Sequence, residues 1–281
     1  MIVDAFTFLN EKELVELRIR YLNKIIDYFV VIEADHTYTG KQKKWNFPNI
    51  LNNELKEFSH KIQYHQMKID LEKAEKEKDP RYNKLTGNLR TVGRSWKIEN
   101  MQRNYIKNAC QKFSASDIII ISDLDEIPSI NKINFIKSCD FKAVAPVGFE
   151  QALFHLNCNF LNLERWVGSV VTTKELIDKY EPQSFRDHKE RISSFNEAGW
   201  SFSSFGGSDR VKEKFDAFAH EEYNNEKYTN ESHLKKCIEE GSDLFHRKTK
   251  KQKIEKNFFP EDLLKLMEQN SDFYFGSKTT F

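Results

Sequence analysis

Asp123-Leu124-Asp125 stands directly after four consecutive isoleucines, Ile118 to Ile121, and Ser122. Glu126, Ile127 and Pro128 follow. An unbroken apolar run reads as a buried strand, so the chain delivers two carboxylates where that strand breaks. In an open α/β sheet, ligands bind outside the carboxyl ends of the strands. Two neighbouring carboxylates repel unless a cation sits between them. Mg²⁺ and Mn²⁺ take oxygen ligands and commonly join one or two carboxylates to substrate phosphates. The competing reading is structural, with Asp123 or Asp125 capping the helix that follows at Ile130. Pro128 stops the element on either reading.

The elements around this motif alternate. Ile2–Phe8 is a short β-branched and aromatic run suited to a buried strand. Leu14, Leu17, Leu22 and Ile25 then recur at helical spacing behind Asn10, a candidate cap. Tyr28–Ile32 is a second buried strand, which completes a βαβ unit. Thr37–Phe47 reads as a loop, Ile62–His65 as a third strand, and Lys68–Arg81 as an exposed helix or mobile loop. Trp96 to Ala109 is an amphipathic helix leading into the isoleucine strand. Further strands are expected at Ala143–Val147, Leu153–Phe160 and Trp200–Phe205. Helices are expected at 129–138, Thr173–Lys179, Asp209–Phe218, Ser232–Glu240 and Glu261–Gln269. No internal repeat or linker is visible.

Composition excludes several classes. The 281 residues carry 44 Lys+Arg against 43 Asp+Glu, a net charge of +1. That balance argues against nucleic-acid binding through bulk charge. Aromatics make up 13% of the chain, with 23 Phe, so a sizeable core is available despite 39% hydrophobic residues. No stretch of about 20 apolar residues marks a transmembrane helix. The N-terminus has no basic region of a secretory signal. The four cysteines, Cys110, Cys139, Cys158 and Cys237, lack metal or disulfide spacing. Idle thiols in a reducing cytosol are the expectation. The basic run Lys248–Lys256 reads as a solvated helix face, with peripheral contact to an anionic membrane as the alternative.

The block Ser122–Pro128, together with Asp4-Ala-Phe-Thr-Phe-Leu-Asn-Glu11, resembles glycosyltransferase family 17. Further blocks agree in the same order. Tyr28–Glu33 runs into Thr37-Tyr-Thr-Gly40-Lys41. Trp96, Glu99, Gln102 and Arg103 share the helix before the acidic strand. Ala198-Gly-Trp200 leads to Phe205-Gly-Gly207, and Phe218-Ala-His220-Glu-Glu222 follows. The resemblance spans residues 4–247. It implies a GT-A-like fold: a Rossmann-like mixed sheet flanked by helices, in a single catalytic α/β domain over 1–247, with a helical extension over 248–281. It implies a UDP-sugar donor, with UDP-GlcNAc foremost, a glycan acceptor, inverting transfer, and Mn²⁺ or Mg²⁺ on the donor diphosphate. Eukaryotic members of the family are anchored in the Golgi membrane. This chain starts at the catalytic block, so a soluble, cytoplasmic enzyme building bacterial or viral surface glycans is expected.

The resemblance implies metal ligation by Asp125 first, and by Asp123 through water or the ribose. His220 is a candidate third ligand or a structural histidine. Glu126 either orients the donor sugar or is exposed. For the base that deprotonates the acceptor, Glu150, Asp209 and Glu222 stand open. Arg94 and Arg103 suit a diphosphate, since guanidinium pairs with phosphate oxygens in a fork, and surface ion pairs are the other reading. Phe8, Asn10 and Glu33 end the first two strands, where uracil and ribose would sit, unless they serve capping and packing. Gly206-Gly207 is a flexible turn near the donor. Trp200 stacks on a sugar or fills core. Two other activities compete: a metal-dependent phosphoesterase using the two aspartates, and a non-catalytic carbohydrate-binding protein of the same fold.

Overall fold

The computed structural model describes residues 1–76 and 93–276, apart from the side chain of Glu222. Its strands are β1 (Ile2–Phe8), β2 (Tyr28–Ala34), β3 (Ile62–Met67), β4 (Ile118–Asp123), β5 (Glu126–Pro128) and β6 (Val147–Glu150). They continue with β7 (Ala152–His155), β8 (Phe160–Asn162), β9 (Val167–Thr173), β10 (Ser194–Phe195), β11 (Gly199–Ser203) and β12 (Lys251–Lys253). Seven strands form one sheet in the order β10-β6-β9-β4-β1-β2-β3, and five form a second in the order β12-β8-β7-β11-β5.

The centre of the first sheet is parallel: β1 pairs with β2 and β4, and β2 with β3. β9 joins β4 antiparallel. Helices cover both faces, and the side-chain alternation of a strand distributes β4 between two cores. Ile120 packs in one core with Phe6 and Phe8, while Ile119 and Ile121 face the other with Val3 and Ala5. This is the helix-flanked, Rossmann-like mixed sheet expected from the sequence.

Several elements differ from the sequence reading. β9 has no counterpart in it, although all seven of its residues are buried. Gly168 and Ser169 interrupt its β-branched run, and a Cβ on Gly168 would lie 1.8 Å from the Gln151 side chain. The strand placed at Ala143–Val147 begins only at Val147, behind a 3₁₀ turn over Phe141–Ala143. Leu153–Phe160 splits into β7 and β8, with Leu156 at φ 71° in the turn between them. Of the charged stretch Lys68–Arg81, Leu71–Lys76 is helical, and residues from 77 on lie outside the described part.

The basic run is a correction. Lys251–Lys253 is not a helix face but an edge strand paired antiparallel with β8. Lysines are common on edges because their charge opposes further pairing. Beyond it, the helices Glu261–Glu268 and Ser271–Phe275 fold back on the first helix, Lys12–Leu22. Leu263, Met267 and Tyr274 bury there, and the Tyr274 hydroxyl donates to the Glu13 carbonyl at 3.0 Å.

Candidate active site

β4 belongs to the first sheet and β5 to the second, so the turn Leu124-Asp125 is where the chain crosses between them. Asp123 ends β4 opposite Thr7 of β1. The Asp125 carbonyl accepts from the Phe202 amide of the second sheet at 2.9 Å. A cleft of about 580 Å³ opens at this junction. Thr7 of β1 lines it with Leu9 and Tyr38 from the loops after β1 and β2, and Leu153, His155 and Ser201 line it from the second sheet.

A buried guanidinium fixes the turn. Arg18, on the first helix, is fully buried and ion-paired with Asp4 of β1 at 2.6 Å. Its Nη1 donates to the carbonyls of Asp123 (3.1 Å), Leu124 (3.0 Å) and Glu126 (2.7 Å). The Glu126 carbonyl also accepts from Ser169 Oγ at 3.4 Å, and a buried carbonyl without a donor is costly, so Arg18 satisfies the backbone where the chain changes sheets.

The side chains around the turn form a charge network. Arg186 grips Glu126 through two bonds of 2.7 and 2.8 Å and reaches Asp123 at 2.8 Å. Arg103 holds the other Asp123 oxygen at 2.6 Å and Glu99 at 2.8 Å. Burial alone would raise the Asp123 carboxyl, but the two guanidiniums overcome this and hold it well below the usual carboxylate range. Asp125 is treated differently. Burial pushes it up to about 6, against the pull of Lys214, whose ammonium lies 3.2 Å away. Lys189 sits over the Trp166 ring at 4.1 Å, and burial together with Arg186 pushes it down to about 8. Among the described residues the two buried ring nitrogens of His155 have no hydrogen-bond partner, and burial followed by Arg247 and Lys251 pushes it down to about 3.

The cleft gathers some of the residues singled out from sequence. Asp123, Asp125, Glu126, Arg103 and His220 all line it. Glu126 is nonetheless committed, since its carboxylate holds Arg186 and accepts from the Asp123 amide at 2.9 Å. The His220 ring packs edge-on to Trp96, with centroids 4.4 Å apart. The side chain of Glu222 lies outside the described residues.

Other residues are placed elsewhere. Phe8 is core, 5.3 Å from the Phe47 ring. Glu33 is fully buried and accepts from the Asn46 and Phe47 amides and the Tyr64 hydroxyl. It ties down the loop after β2 and does not face the cleft. Trp200 is core beside Tyr21 and Phe259. Asn10 bonds to Glu213 beside a small side pocket. Arg94 lies at the surface against Glu75 and the Thr39 carbonyl. Asp209 is exposed in the first turn of helix Gly207–Ala217. Glu150 is held by Ser194 and Arg165, away from the cleft lining.

Arg18, Arg186, Lys189, Lys214 and Glu164 were not singled out from sequence. A signal existed for Arg18: the spacing Leu14, Arg18, Leu22 sets it on the apolar stripe of its helix, while Asp4 interrupts a buried strand. Arg186 and Lys214 reach the site only through the fold. Lys214 arrives on helix Gly207–Ala217, which starts at Gly206 with φ 101°. A Cβ on Gly206 would come within 2.8 Å of Arg210 and Phe273.

Among the described residues, no three or more His, Cys, Asp or Glu side chains converge as a ready metal site. The donor set still fits Mg²⁺ or Mn²⁺ arriving with a diphosphate, because such ions usually take one or two carboxylates and complete their shell with phosphate oxygens and water. Asp125 in particular sits where burial disfavours its charge and a cation would restore it.

A sequence profile for glycosyltransferase family 17 matches residues 1–254. No curated protein matches the sequence significantly. Similar solved structures include one described as a glucose-1-phosphate thymidylyltransferase from Bacillus anthracis. It is 9% identical, with a TM-score of 0.40, over 71% of this chain and 88% of that one. Another is 4-diphosphocytidyl-2C-methyl-D-erythritol synthase from Anaerococcus prevotii. It is 8% identical, with a TM-score of 0.39, over 70% of this chain and 88% of that one. Among the described residues, no helix is long and apolar enough to cross a membrane.

Proposed function

The chain belongs to glycosyltransferase family 17, and from that membership we propose that it moves a sugar, GlcNAc foremost, from a UDP-sugar to a glycan hydroxyl, with inversion and with Mn²⁺ or Mg²⁺. The observation that carries this reading is the pair Asp123 and Asp125 at the crossing between the two sheets, facing a cleft large enough for a nucleotide sugar.

The uridine would sit beyond the ends of β1 and β2, where Thr7 Oγ1 and Tyr38 Oη of the following loop lie 3.2 Å apart near Leu9. Asp125 would hold the metal, with Asp123 beside it and His220 in the same cleft. A bound divalent ion supplies Lewis-acid neutralisation of the diphosphate. Arg103 and Arg186 orient Asp123. The second sheet offers the acceptor side. There, Glu164 lines the cleft, and its carboxylate makes no hydrogen bond to the described residues. It is positioned to take the acceptor proton, whereas the cleft acids Glu99, Asp123, Asp125 and Glu126 are held by cations and Glu11 accepts from the Leu9 and Asn10 amides.

The test is UDP-sugar hydrolysis and transfer, with and without Mn²⁺, on wild type and Asp125→Ala. Losing a ligand to the transition state should lower turnover by orders of magnitude. The proposal fails if no UDP-sugar binds under any metal condition, or if Asp125→Ala turns over like wild type.

A further inference from the structure

Six cationic side chains line the cleft, and five of them have carboxylate partners. Arg103 and Arg186 pair with Asp123, Lys214 with Asp125, Arg165 with Glu150 and Arg247 with Asp243. Lys189 is the exception. Among the described residues its ammonium makes no hydrogen bond or ion pair with a carboxylate, and its close contact is the face of Trp166 at 4.1 Å. It feels the repulsion of Arg186 and the weaker attraction of Glu126, Asp123 and Glu190, none of which bonds to it among the described residues. A partly desolvated ammonium with no bonded carboxylate gains from an anion that meets it directly.

We infer that Lys189 is the group that receives the leaving diphosphate, meeting its terminal phosphate while the Trp166 ring holds the ammonium in place. The inference rests on the glycosyl-transfer reading. When the bond between the anomeric carbon and the diphosphate oxygen breaks, both electrons go to that oxygen. The acceptor oxygen forms the new bond to carbon and gives its proton to a cleft carboxylate. One further negative charge therefore appears on the terminal phosphate, next to Lys189. A compact ammonium suits this task because it meets phosphate as a point charge and needs no fork geometry. Trp166 contributes by cation–π attraction, which restricts the flexible lysine stem before the nucleotide arrives. Lys189 follows the helix Pro182–Asp187 that carries Arg186, so one segment supplies both the residue that orients Asp123 and the one that meets the product charge.

Calorimetric titration of UMP and UDP separates this role from simple packing on Trp166. Wild type, Lys189→Met, Lys189→Gln and Lys189→Arg would each be titrated with Mn²⁺ and with EDTA. Both neutral variants should weaken UDP by about tenfold while leaving UMP, which lacks the terminal phosphate, within about twofold. Lys189→Arg should keep most of the UDP affinity. The transfer rate of Lys189→Met should fall through kcat, with the acceptor KM little changed. An unchanged ratio of UDP to UMP affinity in both neutral variants overturns the inference, as does equal weakening of the two nucleotides. If wild type binds neither nucleotide, the glycosyl-transfer reading falls first and takes this one with it.

Discussion

Arg18 and Asp123 are 105 positions apart, yet the Arg18 guanidinium donates to the Asp123 carbonyl at 3.1 Å. The same nitrogen holds Leu124 and Glu126, and the other edge of the fork rests on Asp4. The shape of the acidic turn is therefore set by the first helix. Arg18→Met should cost about 3–5 kcal/mol, because Asp4 is left buried and uncompensated. Adding Asp4→Leu should recover most of that stability in urea melts. It should not recover turnover, since the turn carbonyls still lack their donor. Full recovery of activity in the double variant would show that Arg18 serves stability alone.

Arg186→Lys keeps the charge and loses the fork that spans Glu126 and Asp123. Its expected outcome is a tenfold or greater fall in kcat, of order 1.4 kcal/mol. The stability change should stay near that of one lost charged hydrogen bond, about 1.5–3 kcal/mol. Steady-state kinetics beside thermal melts would separate the two effects.

Trp200 packs between Tyr21 and Phe259 and does not line the cleft. Trp200→Ala should destabilise by about 3–5 kcal/mol through the cavity it leaves. Trp200→Phe should fold and turn over at nearly the wild-type rate. A large rise in acceptor or donor KM for Trp200→Phe would return Trp200 to the binding site.

Glu164→Gln tests the proposed base. Removing a base typically costs 10²–10⁴ in rate. UDP-sugar affinity should hold while kcat falls and the alkaline limb of the pH profile persists. Unchanged kcat would move the role to another acid, with Glu222 the next to substitute.

His155 gives a pH signature in stability. Its folded value is about 3, against about 6.5 for an unperturbed histidine. Between those two values the unfolded chain binds a proton that the folded chain refuses. Stability from this group is complete above about pH 6.5 and declines as the pH falls toward 3, by at most about 1.4 kcal/mol per unit. His155→Phe should flatten that part of the curve in urea melts run from pH 7 to 4. An identical slope in wild type and variant would rule out this contribution.

The alternation of strands and helices around Asp123 and Asp125 was legible because local pattern carries it. The four isoleucines serve two cores at once, so they show as an unbroken run. The partners of the two aspartates were not legible. Arg186 and Lys214 stand 63 and 89 positions away, and nothing in their own neighbourhoods distinguishes them from other basic residues. Phe8, Glu33 and Trp200 show the opposite error. They stand inside the motif blocks in sequence, but strand alternation turns Phe8 and Glu33 inward, and Trp200 is packed between aromatic rings. β9 was missed because Gly168, required by close packing on Gln151, interrupts its pattern.

The contact between Tyr274 and Glu13 has a consequence for how the protein is made. The helix that carries Arg18 is completed on its outer side by the segment 261–275, which is made after every residue that lines the cleft. A nascent chain stalled near residue 250 already holds every acid and base of the cleft. It would still lack the covering for the helix that shapes the turn. The shape of the turn thus depends on a segment made after the last residue that lines the cleft, so the site is complete in sequence before the helix behind it is covered.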